Sequence, residues 1–439
     1  MNIHLFPSAT LAVLTLVSAA YASTPATYPE DSLPELAQIL KTVPDKAPEL
    51  IARSLEQQES TARLKQAKAA YYPRLDLNGN LGYRLSTYSE NQPDEDSFGI
   101  TGNATIRRPL YHWGAIEARI RQARLDFKNE NLLGALALRR IQRSIRADYL
   151  SLLVNQTALR NARLRRQLNE ERANLLRTNA ASGTISTQES ARTNLNLSQA
   201  LMDIEQLEAD QTRILATYRR NLGWDAPLAL DTPVPAVSTT AILTWIEQTR
   251  AASNSDWISV NAETLHRTNL VEREKAERVR IIANQRPLFN FAASVGQGQS
   301  NTATQNNVNT LTYFAGIDVS WNIFDGFETR QRKLESTLRQ RRLENNLSAF
   351  QSELAAQAAD TLTQLNFQAR RLDLEQQRFD LSRDSFASNQ RELNEGRLTP
   401  SAYREKQLSL QDEELALNTA RAALLMGITD YLDLVTPAN

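Results

Sequence analysis

The sequence predicts a mainly helical chain in which very long antiparallel coiled-coil helices carry four membrane-type β-strands, the whole plan built twice. Three observations predict it. No proline falls between Pro109 and Pro227, or between Pro287 and Pro400, and an interior proline would break a long helix. Four stretches alternate strictly between apolar and polar residues, as half-exposed strands do. The breaks and short motifs of the first half recur in order in the second.

The helices come first. In one proline-free tract Leu138, Ile141, Ile145, Tyr149 and Leu152 step by threes and fours, and in the other Leu343, Leu347, Phe350, Leu354 and Ala358 do the same. Each is a packing seam on helices otherwise rich in Arg, Gln, Glu and Asn. Helices are predicted near 46–71, 114–181 and 187–221, and again near 255–285, 327–394 and 400–430. The two shorter helices of each set together match the long one, and both spans come to about 100 Å at 1.5 Å per residue. That is the geometry of two short helices stacked end to end beside one long antiparallel partner.

The strands follow. In YYPRLDLNGNLGYR, residues 71–84, Leu75, Leu77, Leu81 and Tyr83 take one face and Arg74, Asp76, Asn78 and Asn80 the other. In residues 97–107 Phe98, Ile100, Ala104 and Ile106 oppose Thr101, Asn103, Thr105 and Arg107. In the second half Phe289, Phe291, Ala293 and Val295 oppose Asn290 and Ser294, and Ile317 and Val319 oppose Asp318 and Ser320. Each run is about ten residues, the length a tilted strand needs to cross a bilayer core. The loops 85–96 and 297–310 are long and polar, and Tyr71, Tyr72, Tyr111, Trp113, Trp321 and Phe324 cluster at the helix-side ends, where aromatics suit a membrane interface. A soluble hairpin packed on a core would alternate in the same way; two hairpins on long helices favour membrane. Four strands cannot close a barrel and open edges are not allowed in lipid, so the hairpins must be pooled. Three copies give twelve strands.

The repeat sets the domains. Pro73 corresponds to Pro287 at a shift of 214, and Gly183 to Gly396 and Tyr218 to Tyr431 at 213. PLYHWG (109–114) answers NIFDGF (322–327), and ASGTIST (181–187) answers NEGRLTP (394–400). The predicted plan is a signal peptide (1–22), a first repeat (23–221, hairpin 73–107), a linker (222–250), and a second repeat (251–439, hairpin 287–323). The apolar run LAVLTLVSAA followed by Ala20-Tyr21-Ala22 reads as a secretory signal, although the segment before it lacks Lys and Arg; a membrane anchor is the competing reading. Gly183 and Gly396 sit where a helix must turn back, a task for a residue that tolerates positive φ. Thr399 reads as an N-cap followed by Pro400 at the first helical position.

Composition narrows the function. Lys plus Arg and Asp plus Glu both number 50, so net charge points to no nucleic acid. The chain has no cysteine, which rules out disulfides, thiolate metal sites and a lipid-carrying N-terminal cysteine. Its three histidines, His4, His112 and His266, have no metal-ligand spacing. There is no phosphate-binding loop, so the chain is not a motor. No catalytic, cofactor or metal site is expected.

AAYYPRLDL before the first strand, the turns LYHWG and IFDGF after each hairpin, the turns SGTIST and EGRLT, and their doubled order make the chain resemble the outer membrane efflux proteins, the TolC-like family, over residues 33–435. The resemblance implies a homotrimer with a shared outer-membrane β-barrel and a periplasmic α-helical barrel. It also implies a mixed belt formed here by residues 24–45, the linker and the C-terminal tail. The implied function is a passive exit duct that takes cargo, small molecules or secreted polypeptides, from an inner-membrane pump of ABC or RND type through a periplasmic adaptor. On that plan Arg74, Asp76, Asn78, Asn80, Thr101, Asn103, Asn290 and Asp318 line the barrel water. Leu75, Leu77, Leu81, Ile100, Phe289, Phe291, Ile317 and Val319 face lipid. Gly183, Thr184, Gly396, Leu398 and Pro400 form tip turns for adaptor docking. Glu189 and Glu405 take acidic entrance positions, Ala402 departs from a second one, and the family's basic residue falls at Leu398, with Arg397 beside it. A ring of Glu405 carboxylates would attract cations, and an Arg397–Glu189 pair would hold the entrance shut. The alternative function is a periplasmic coiled-coil scaffold without a pore.

Overall fold

A computed structural model describes residues 27–86, 95–180, 187–225, 228, 232–252, 255–302 and 305–437; residues 1–22, expected to be a signal peptide, lie outside them. In chain order the elements are α1 (Pro34–Lys46), α2 (Pro48–Lys68), β1 (Arg74–Ser86), β2 (Glu95–Tyr111), α3 (Ala115–Ala180) and α4 (Thr187–Leu222). There follow α5 (Thr239–Ala252), α6 (Asp256–Val260), α7 (Ala262–Ala283), β3 (Leu288–Thr302), β4 (Gln305–Ser320), α8 (Glu328–Asn394) and α9 (Pro400–Val435). The long helices α3 and α8 have 66 and 67 residues, and α4 and α9 have 36 each. The chain divides into two compact units, one of Arg53–Gly134 and Ala262–Gln351, the other of the remaining segments.

The first unit holds the sheet. Its strands run antiparallel in the order β1-β2-β3-β4, so β1 and β4 are its edges. The register puts Leu75, Ile106, Ala293 and Ala315 in one cross-strand row and Leu77, Ala104, Val295 and Tyr313 in the next. The opposite face carries the rows Asp76, Thr105, Ser294, Phe314 and Asn78, Asn103, Gly296, Thr312. The strands are longer than the sequence suggests, at 13 to 17 residues, and the expected loop 297–310 is largely strand. Its Gln, Asn, Ser and Thr residues pair in the ladder from Gln297↔Leu311 to Ser300↔Val308. A stretch made almost wholly of polar residues has no apolar–polar alternation, so periodicity cannot show it.

Both strand-to-helix turns use two consecutive residues at positive φ, Trp113–Gly114 (53° and 80°) and Gly326–Phe327 (65° and 69°). Trp113 Nε1 donates to the Pro287 carbonyl at 2.8 Å and Trp321 Nε1 to the Gln285 carbonyl at 3.0 Å, which ties each turn to the start of β3. Asp325 caps α8 by accepting the Thr329 amide at 2.9 Å, and these hydrogen bonds hold its carboxyl below the usual range. The α7 helix docks on α3 through Arg121–Glu272 and Arg273–Asp126, and on α8 through buried Glu274, which accepts Ser336 Oγ at 2.7 Å.

The second unit is all helical and has two cores. One gathers Leu36, Val43, Ile145, Tyr149, Tyr218 and Leu222; the other gathers Ile246, Leu365, Leu372, Leu424 and Tyr431. The first core depends on a break between α1 and α2. Ala47 precedes Pro48 and is extended, at φ −64° and ψ 124°, because a residue before proline is pushed out of the helical region. The expected helix at 255–285 is likewise split, at Asn261, whose side chain donates to the Leu434 carbonyl at 3.0 Å. Two stripes stay exposed at heptad spacing: Phe367, Leu374 and Leu381 on α8, and Leu195 and Met202 on α4.

Candidate functional site: an apolar-faced sheet and a charged helical turn

The sheet presents one polar and one apolar face, and the apolar one is uncovered. Leu75, Leu77, Leu81, Phe291, Ile317 and Val319 are exposed, Leu77 at 81%, and Phe289 is half-buried. Ile100 holds the strand position opposite Leu81; its side chain lies outside the described residues. A row of exposed Leu, Ile, Val and Tyr across four strands is a contiguous apolar patch, the observation that calls for a partner phase.

The other face carries Arg74, Asp76, Asn78, Asn80, Thr101, Asn103, Asn290 and Asp318. Arg74 Nε donates to Asp76 Oδ1 at 2.7 Å, which offsets its charge. Asn290 Oδ1 lies 2.9 Å from His112 Nε2, so His112 has a structural partner. Among the described side chains the large apolar Phe314 sits on this polar face, and the alternation did not reveal it. Phe314 lies over Gly316, where a methyl group would meet its Cζ at 3.1 Å. Glycine at 316 is what lets the ring lie down.

The α8–α9 turn is built as its sequence suggests. Gly396 has φ 71°; the Arg397 amide bonds the Glu392 carbonyl at 2.8 Å and the Gly396 amide bonds Leu393 at 3.1 Å, the paired closure of a Schellman turn. Thr399 Oγ1 accepts the Ala402 amide at 3.3 Å, with Pro400 at the first helical position. Leu398 is half-buried. Gly183 and Thr184 lie outside the described residues.

The charges here differ from expectation. Arg397 pairs with Glu395, not with Glu189, because a partner two residues away inside a tight turn needs no further ordering. Glu405 pairs with Arg172, and Arg404 with Glu171. Arg165–Asp412 (2.9 Å) and Arg160–Glu414 (3.2 Å) continue the same antiparallel ladder between α3 and α9. The sequence reading did not foresee Arg172, since the pair joins helices far apart in the chain. Glu405 is therefore a compensated carboxylate in this chain. Glu189 is exposed. Among the described residues no cluster of side chains could hold a metal ion, and no helix is long and apolar enough to cross a membrane.

An open-edged four-stranded sheet with one bare apolar face and, in the same chain, helices of 66 and 67 residues invite comparison with known proteins. Residues 40–223 match the family described as outer membrane efflux protein, the family that the chain's motifs resemble. The fold extends that likeness along the chain. The CmeC outer membrane channel of Campylobacter jejuni aligns with a TM-score of 0.75 at 11% identity, covering 99% of this chain and 94% of that one. The outer membrane protein VceC of Vibrio cholerae aligns at 0.67 and 13%, covering 92% and 96%. The MtrE outer membrane channel of Neisseria gonorrhoeae aligns at 0.67 and 13%, covering 92% and 89%. At these identities the likeness is one of fold. No curated protein sequence matches the chain.

Proposed function

We propose that this protein is the outer-membrane exit duct of an efflux or type I secretion assembly. Its strands stand in the outer membrane and its helices extend into the periplasm. The observation that carries the reading is the sheet: its apolar face is bare, its polar face is lined by Asn, Thr, Arg and Asp, and both edges are unpaired within the chain. In lipid such edges must be closed, and three copies would close them into twelve strands. The exposed heptad stripes on α4 and α8 support the same pooling, since each is a seam without a partner within the chain. The 214 and 213 shifts and the equal lengths of α4 and α9 support an internal repeat. The duct would receive cargo from an inner-membrane pump of ABC or RND type through an adaptor seated on the helical turns at Gly183–Thr184 and Gly396–Pro400. Glu189, Glu405 and Arg397 are candidates for the entrance.

The test is fractionation of native membranes followed by single-channel recording. An outer-membrane trimer that conducts in a planar bilayer is expected. Recovery in the soluble periplasm would turn the reading to the scaffold. Because Arg172 offsets Glu405, Glu405→Ala should shift ion preference toward anions by leaving that guanidinium uncompensated. Unchanged selectivity would remove Glu405 and its partner from the entrance.

A further inference from the structure

We infer that β4 of one copy pairs antiparallel with β1 of the next in one definite register, with Asp318 opposite Asn80 and Ile317 opposite Leu81. The inference rests on the proposed pooling of protomers and specifies its joint.

The two hairpins have the same register. Moving β1 by 214 and β2 by 213 carries Arg74↔Arg107 onto Leu288↔Ser320 and Asn80↔Thr101 onto Ser294↔Phe314, and both are pairs the sheet forms. The shifts come from sequence motifs outside the strands, so the agreement is an independent observation. The joint between the hairpins, β2 with β3, is therefore a template for the joint between copies. Carrying its pairs Asn103↔Gly296, Ala104↔Val295, Thr105↔Ser294, Ile106↔Ala293 and Arg107↔Ala292 by the same shifts gives five pairs. They are Gly316 with Gly82, Ile317 with Leu81, Asp318 with Asn80, Val319 with Gly79, and Ser320 with Asn78.

The faces agree. Ile317 and Leu81 belong to the apolar face and Asp318 and Asn80 to the polar one, so the apolar surface continues across the joint. A slip of one residue would set every apolar side chain of one edge against the polar side of the other. Both edges are bare in the single chain, Leu81 at 68% and Ile317 at 63% exposure. Gly316 beside Gly82 also leaves open floor under the Phe314 ring, since nothing lies within 4 Å of a methyl group built at Gly82.

The chain lacks cysteine, which makes the test clean. Asn80→Cys/Asp318→Cys and Gly79→Cys/Val319→Cys are made in the full-length protein, so that both kinds of cross-strand pair are sampled. The pairs slipped by two residues, Asn78→Cys/Asp318→Cys and Gly82→Cys/Asp318→Cys, serve as comparison. Membranes are oxidised and run on denaturing gels. At least one in-register pair should give covalent dimers and trimers at several times the yield of either slipped pair. Stronger linking by a slipped pair would overturn the register while leaving the pooled barrel standing. A protein that migrates as a trimer yet links through none of these pairs would overturn the β4–β1 joint. A protein that stays monomeric in detergent would overturn the pooling and the joint together.

Discussion

Arg146 has 6% of its side chain exposed and forks onto Glu30 at 2.9 and 2.5 Å, with Asp433 at 3.9 Å and the Tyr28 ring 4.3 Å from its guanidinium carbon. Arg146 thus joins the first described residues to the end of α9 through the middle of α3. Removing it leaves two carboxylates short of their partner. Arg146→Met should cost about 3–5 kcal/mol, read as loss of helical circular dichroism at lower temperature, and an unmoved midpoint would show the clamp idle. Two residues along, burial pushes the Asp148 carboxyl up to about 6, with hydrogen bonding to Asn221 and the charge of Arg220 opposing it. One of its oxygens is buried without a hydrogen-bond partner among the described residues. The raised value means that the folded state prefers the neutral acid. Its contribution to stability is full below the ordinary carboxylate range near 4 and is lost as pH rises through about 6. Asp148→Asn should flatten that part of the stability profile and raise the midpoint at pH 8, measured by thermal unfolding at pH 5 and 8.

At the scale of elements, the α8–α9 turn shows what a sequence can announce. Glycine, then threonine and proline, each has a local job, and each does it where the sequence places it. Gly396→Val should cost about 1–2 kcal/mol for the left-handed backbone, and Thr399→Ala about 1 kcal/mol for the lost cap. Both should speed amide hydrogen exchange at this turn more than in the α3 seam. The long helices were legible for the same reason: absence of proline and a seam of threes and fours are local facts. The break at Asn261 was not, because the hydrogen bond its side chain makes there runs to the carbonyl of Leu434, more than a hundred residues away. The strand lengths were not, because polar ribbon pairs by backbone and leaves no pattern. The face of each strand was legible, while the neutralisation of Glu405 by Arg172 depended on which helices become neighbours.

At the scale of the molecule, the bare surfaces among the described residues include a sheet face, two sheet edges, and the stripes of Phe and Leu on α8 and of Leu and Met on α4. A charge in one of these stripes should be far worse for assembly than for folding. Leu374→Glu should leave helical content intact and lower the mass of the detergent-solubilised particle from trimer toward monomer. A trimer of normal yield would show that the α8 stripe is not a seam.

The unpaired edges of β1 and β4 also bear on how the protein reaches its finished state. On the proposed pooling of copies, each newly folded chain carries two unpaired strand edges and a greasy flank until neighbours arrive, the features that make a protein stick to whatever it meets. Completion on that plan depends on encounters between chains. The yield of mature protein should rise with concentration at low levels of synthesis and fall to aggregates at high ones, and escort of the half-made sheet should widen the interval between them.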